Sequence, residues 1–105
     1  MILTTTNSIN GKTISNYLGI VSATTYASAS TLKGMSFSDM FKQKKYYDAY
    51  EKAFEEAKED AFQKLKVNAE KLNANAIVGI DLDIESVSSG MYTVVSIVGT
   101  AVSVS

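Results

Sequence analysis

Three carboxylates stand at alternate positions in the last third of the chain: Asp81, Asp83 and Glu85. In an extended strand this alternation sets them on one face, with successive carboxylates about 6.6–7 Å apart. Oxygen-only ligand sets suit hard divalent cations such as calcium, magnesium or manganese. A metal site at Asp81, Asp83 and Glu85 is therefore the first chemistry to weigh. The spacing is too wide for one strand to chelate one ion well, so a neighbouring subunit or a loop would have to complete the shell. The simpler alternative is a solvated or interface face, whose acids pair with lysines or hydroxyls.

Other chemistry is limited by what the sequence lacks. Its 105 residues include no cysteine, histidine, tryptophan, proline or arginine, and all ten basic residues are lysines. Disulfides, thiolate or imidazole metal ligands, Cys-His or Ser-His catalytic pairs and arginine clamps on phosphate are excluded. Paired carboxylates can do acid–base work, but no histidine, arginine or activated nucleophile accompanies these. The expectation is a protein that is not an enzyme and carries no cofactor. Gly79, Gly90 and Gly99 do not form a phosphate loop, because none belongs to a glycine-rich strand-to-helix turn. Gly79 and Gly99 fall inside strand patterns, where glycine marks a bulge or a close approach of another group. Tyr46, Tyr47 and Tyr50 cluster near Lys44 and Lys45. They read as an interface or core cluster with hydroxyls reaching water, and a ligand or nucleic-acid platform is the alternative.

The formal net charge of −1 gives no field towards nucleic acid or an anionic membrane. No stretch approaches the roughly 18 apolar residues of a membrane span. The start, Met1-Ile-Leu-Thr-Thr-Thr, lacks the charged and apolar regions of a signal peptide. A cytoplasmic protein is expected, as one domain over residues 1–105 with one modest core.

Charge is unevenly placed along the elements that must carry these residues. Residues 1–35 hold only Lys12 and Lys33, and residues 76–105 only Asp81, Asp83 and Glu85; all other charges lie between. A dense, balanced block between charge-poor flanks predicts a solvated helix between buried strands. Within it, Tyr47, Tyr50, Phe54, Ala57, Ala61, Leu65, Ala69 and Leu72 recur at steps of three or four. That is one stripe on a helical period, widened by Ala53 and Phe62. Asp60 stands four residues before Lys64, a weakly supporting surface pair. The helix should run from Tyr47 to about Asn73, about 40 Å, and stop at Asn73-Ala74-Asn75 because Asn tolerates the left-handed conformation. Before it, Ser36 or Ser38 can cap a short helical turn holding Phe37, Met40 and Phe41. The polar run 42–45 then predicts a bend.

The remaining segments read as strands and turns. Ala76–Glu85 alternates Val78, Ile80, Leu82 and Ile84 on one face with Ile77, Gly79, Asp81, Asp83 and Glu85 on the other. After a turn at Val87–Gly90, Met91–Val104 forms the second arm of an antiparallel hairpin. It sets Val94, Val98 and Val102 on one face and Val95, Ile97 and Ala101 on the other. Ile14–Ala23 is a further strand and residues 24–35 a loop. Asn10-Gly11 is a hairpin-type turn signal that would let Ile2-Leu3-Thr4-Thr5 pair back as a short strand. The fold class is two-layer α+β: a small antiparallel sheet with one long helix packed on it, in the order β-α-β-β with a possible extra N-terminal strand. One helix covers one sheet face, assigned to Val78, Ile80, Leu82, Val94, Val98 and Val102. The other, with Val95, Ile97 and Ala101 beside the acids, is left partly apolar and calls for another subunit. Long edge strands poor in charge also invite pairing, which ring closure would satisfy.

The run Ala74-Asn75-Ala76-Ile77-Val78-Gly79-Ile80-Asp81-Leu82-Asp83-Ile84-Glu85 resembles the ADAVVGIDIDYE segment of the YbjQ-like family, small bacterial and archaeal proteins often labelled heavy-metal-binding. Three further pieces match in order: Gly11-Lys12-Thr13-Ile14 with Tyr17-Leu18-Gly19-Ile20-Val21, then Ala49-Tyr50-Glu51-Lys52, then Val98-Gly99-Thr100-Ala101-Val102. The resemblance spans nearly the whole chain and is weakest over residues 24–46. It implies a dodecin-like subunit, a ring-shaped homo-oligomer that is most often a pentamer, and no established catalysis. This sequence has no cysteine or histidine to support the soft-metal part of that label. A divalent cation held by Asp81, Asp83 and Glu85 remains the only metal partner to consider.

Overall fold

The computed structural model describes residues 1–28, 43–87 and 92–105. Among the described residues there are four strands and one helix: β1 (Ile2–Leu3), β2 (Ile14–Ser28), α1 (Gln43–Glu70), β3 (Ala76–Val87) and β4 (Tyr92–Val104). The strands form one sheet in the order β1-β3-β4-β2. β4 pairs antiparallel with both β2 and β3, so β2 and β3 run in the same direction with β4 between them. The helix connecting β2 to β3 packs on one face of this sheet, giving the two-layer α+β architecture.

The helix presents Ala57, Ala61, Leu65 and Ala69 to Val21, Ala23, Ala27, Ile77, Ile80, Val95, Ile97 and Ala101, and all of these are buried. Alanine at three of these four helix positions brings the helix close to the strands. Thr25 Oγ1 donates a 2.6 Å hydrogen bond to the Ala57 carbonyl inside this contact. The predicted stripe holds from Phe54 to Ala69. Leu72 lies beyond the helix and remains partly exposed. Asn73 has φ 61°, the left-handed residue expected there. The Ala74 N–H bonds to the Ala69 carbonyl and the Asn73 N–H to the Glu70 carbonyl, the paired pattern of a Schellman cap. Lys64 does not pair with Asp60: its Nζ lies 3.4 Å from the Thr24 carbonyl, while Lys58 and Glu55 form a surface ion pair at 2.7 Å.

Several sequence expectations are corrected. The sheet is mixed rather than antiparallel, because β1 runs parallel to β3, with Ile2 opposite Ala76 and Leu3 opposite Ile77. Asn10-Gly11 does form a tight turn, with Gly11 at φ 79° and the Lys12 N–H bonded to the Ile9 carbonyl. It does not return β1 onto β2, since the outer edge of β2 lies across the sheet from β1. β2 runs on through Ser28 instead of ending at Ala23. Its alternation continues as Ala23, Thr25 and Ala27 buried against Ser22, Thr24 and Tyr26 exposed, written in small and hydroxyl residues that carry little hydropathy contrast. The helix starts at Gln43, so Lys44 and Lys45 lie within it; lysine interrupts an apolar stripe without breaking a helix. The expected short turn at 36–42, the loop at 29–35 and the turn at 88–91 lie outside the described residues.

The largest correction concerns the faces. Val78 pairs with Thr100 and Asp81 with Val98, so Gly79 and Ile80 together oppose Gly99. This is a β-bulge, and Gly79 takes φ 61° to make it. One extra residue reverses the alternation of everything after it. Ile77 and Ile80 therefore both face the helix, followed by Leu82 and Ile84, while Val78 shares the opposite face with Asp81, Asp83 and Glu85. The helix-covered face of β4 is the one bearing Val95, Ile97 and Ala101, not Val94, Val98 and Val102.

Candidate functional site

The face turned away from the helix has two parts. Towards the N-terminal segment, Ala76, Val78, Val102 and Val104 form a second buried cluster, covered by Ile9 and Ile14. The covering segment is fixed by its own hydroxyls: Thr6 N–H donates to Thr4 Oγ1, and Thr6 Oγ1 donates to the Ser8 carbonyl. It is tied to the bulge, where the Gly79 N–H donates to the Thr6 carbonyl at 2.8 Å and the Ile80 N–H to the Thr4 carbonyl at 3.1 Å. The bulge that turns the acids outward is thus held by the segment that covers the upper half of the same face.

Below the cover the face is open. Strand register lays out three rows across β2, β4 and β3: Ser22, Val98 and Asp81; Thr24, Ser96 and Asp83; Tyr26, Val94 and Glu85. Asp81, Asp83 and Glu85 do share one face, as the sequence predicts, and all three are exposed. Beside them a depression of about 330 Å³ is lined by Asp81 and Asp83 with Ser22, Thr24, Ser96 and Val98. Glu85 does not line it. Among the described residues, no group of three or more acids is gathered closely enough to hold a metal ion. The depression joins two carboxylates to three hydroxyls, an oxygen-rich set that can hydrogen-bond a polar ligand or a partner's surface.

Of these hydroxyl residues, Thr24 falls in the stretch 24–35 that reads as loop, and Ser96 lies on the face of β4 that the sequence reading assigns to the helix. Continuing the alternation of β2 one residue past Ala23 would have found Thr24 beside Ser22. Ile20 and Tyr26 lie on the same face at 80% and 67% exposure, with Val98 and Tyr92 also exposed. The side chains of Tyr46, Tyr47 and Tyr50 lie outside the described residues.

A second concavity, of about 540 Å³, runs along the outer edge of β2 beneath the helix, lined by Ala23, Thr24, Lys64, Val67, Asn68 and Lys71 with Gln63. Asn68 Nδ2 donates to the Ser22 carbonyl at 2.9 Å on that edge. No helix among the described residues is long and apolar enough to cross a membrane.

Comparison with known proteins gives concordant matches. A family model described as "Putative heavy-metal-binding", the YbjQ model, matches residues 1–105. A UPF0145 protein of Geobacillus thermodenitrificans is 39% identical over 106 residues, covering 99% of each chain. One from Anoxybacillus flavithermus is 38% identical, covering 97% of this chain and 96% of its own. One from Bacillus cereus is 40% identical, covering 97% and 98%. A crystal structure from Pediococcus pentosaceus, described as a protein of unknown function of the DUF74 family, superposes with a TM-score of 0.62 at 28% identity. The match covers 100% of this chain and 98% of that one.

Proposed function

Because the chain belongs to the YbjQ family, whose bacterial relatives are called UPF0145 proteins, we propose that it is a non-catalytic cytoplasmic protein that works as a ring-shaped homo-oligomer, with a pentamer the expected state. The observation that carries this reading is the open lower half of the sheet. Ile20, Tyr26, Tyr92 and Val98 are exposed on that one face, around the row of Thr24, Ser96 and Asp83, and large apolar side chains gathered with polar ones between them suit a subunit contact. Two long strand edges accompany it, on β2 and on β3 beyond β1, and unpaired edges favour association. No histidine, cysteine or arginine accompanies the acids to support catalysis, and a net charge of −1 gives no basic field towards a nucleic-acid partner. Light scattering tests the assembly: the expected mass is five times the 11.3 kDa of one chain. A monodisperse species of one chain's mass at micromolar concentration overturns it.

A second reading is supported by the depression beside the acids. Asp81, Asp83 and Glu85 would contribute oxygen ligands to a hard-cation or small-ligand site completed by a neighbouring subunit. The three hydroxyls of Ser22, Thr24 and Ser96 around the depression favour it, and oxygen donors favour calcium or manganese over soft metals. The family description points towards metal, while this chain's lack of cysteine and histidine removes the ligands that soft heavy metals prefer. Calorimetric titration with calcium, manganese and zinc separates the readings.

A further inference from the structure

Resting on the assembly proposed above, we propose that copies join head-to-tail, the outer edge of β3 at residues 81–86 of one protomer seating in the groove beneath the helix on the outer edge of β2 of the next. The argument starts from the position of α1. It rests mainly on β2 and β4, and of the three long strands it meets β3 least, near Ile77 and Ile80. On one side of the sheet the helix therefore overhangs the edge, and Val67, 48% exposed, stands with Ala23 in an open groove. On the other side the same offset uncovers Leu82 and Ile84, which face the helix layer yet remain 37% and 42% exposed. An overhang at one edge and a shortfall at the other are complementary within one molecule.

β1 leaves the second half of β3 accessible. Its pairing covers Ala76 and Ile77, and the adjoining segment bonds as far as Ile80. Among the described residues no strand lies outside Asp81–Ser86. A strand added to a sheet keeps its two faces in register with the sheet's two layers. Leu82 and Ile84 of the added strand would enter the groove against Ala23 and Val67. Asp81 and Asp83 would meet the Ser22 and Thr24 row on the open face.

Charge selects the same pairing. The segment 81–86 carries three acids and no lysine, while the groove carries Lys64 and Lys71 and no acid. Lys64 Nζ, 3.4 Å from the Thr24 carbonyl, sits at the sheet edge, within reach of an incoming strand. Carbonyl oxygens accept two hydrogen bonds, so the bonds from Lys64 and Asn68 are compatible with a strand laid alongside. Pairing β3 with β3 would oppose acids, and pairing β2 with β2 would oppose lysines under two overhanging helices. The contact is therefore heterologous, the kind that closes into rings.

Two variants test this by light scattering, with circular dichroism to show that each is folded. Leu82→Lys/Ile84→Lys disables the β3 edge and leaves the groove; Val67→Glu disables the groove and leaves the edge. Each alone is expected to fall to the mass of one chain. Mixed in equal amounts they are expected to form a species of twice that mass and stop there, since each keeps one working surface. Variants that retain the parent mass overturn the proposal. So do variants that become monomeric yet fail to recombine, which points to a different contact. An unmodified protein that is itself monomeric overturns the assembly reading instead. Hydrogen exchange gives an independent check. Amides of residues 81–86 should be protected in the unmodified assembly and freed by the distant Val67→Glu change, and free exchange in the unmodified assembly overturns the proposal.

Discussion

Gly99 lies directly against Ile77: a Cβ built at Gly99 would stand 2.7 Å from Ile77 Cγ2, with Ile80 Cγ1 at 3.1 Å and the Val78 carbonyl at 3.4 Å. The bulge sets both Ile77 and Ile80 towards the helix, and the missing side chain on β4 makes the room they occupy. Gly99→Ala should therefore destabilise the protein by about 1–3 kcal/mol, the usual cost of overpacking a core. Adding Ile77→Leu, which lacks the β-branch methyl, should restore part of the loss. Denaturant unfolding of both single variants and the double variant checks this; simple additivity would disprove the contact.

The bulge also makes a demand at Gly79, where φ is 61°. Gly79→Ala should cost about 1–2 kcal/mol through the left-handed conformation. Gly79→Asn should cost less, because Asn tolerates that region better. Equal midpoint shifts for the two would mean that backbone conformation is not what holds glycine there.

Helix phase is tested at Ala61, which is fully buried, and at Lys64, which is exposed. Ala61→Asp places an unpaired charge against the sheet and should cost several kcal/mol, a large share of the stability of so small a domain. Lys64→Ala removes a charge at the groove and buries nothing against the sheet, so it should cost far less than Ala61→Asp. Similar melting of the two variants would mean that the helix faces the sheet with another stripe.

Thr25 joins the strand to the helix through its bond to the Ala57 carbonyl. Thr25→Val keeps the shape and removes the donor. A loss of about 0.5–1.5 kcal/mol is expected, measured by chemical unfolding, with Thr25→Ser retaining most of the stability.

For the acids, calorimetric titration of the unmodified protein with calcium, manganese and zinc is expected to show no saturable site of micromolar affinity. At these acids, soft metals such as copper(I) should bind no better than to an unrelated protein, since carboxylate and hydroxyl oxygens are hard ligands. Asp81→Asn/Asp83→Asn should be neutral or destabilising, since the two acids meet the next protomer in the proposed assembly, whereas the crowded ligands of an empty cation site would gain stability on losing charge. A micromolar site that this double variant abolishes would decide in favour of the cation reading.

The sequence by itself determined the two-layer α+β plan. Alternation in residues 76–104 and a three-to-four step from Phe54 to Ala69 are local signals, each set by the geometry of its own element. It also placed Asp81, Asp83 and Glu85 on one face, because that relation involves only residues after the bulge. It could mark Gly79 and Gly99 as irregular but could not say which residue would be doubled. Only the tertiary structure decided which face the acids share, since one inserted residue at Gly79–Ile80 exchanges the faces of all that follows. Partnership of β1 with β3, and the continuation of β2 through Ser28, were likewise decided by contacts distant in sequence. A threonine or serine strand has little hydropathy contrast to reveal it, and a two-residue strand has no pattern of its own.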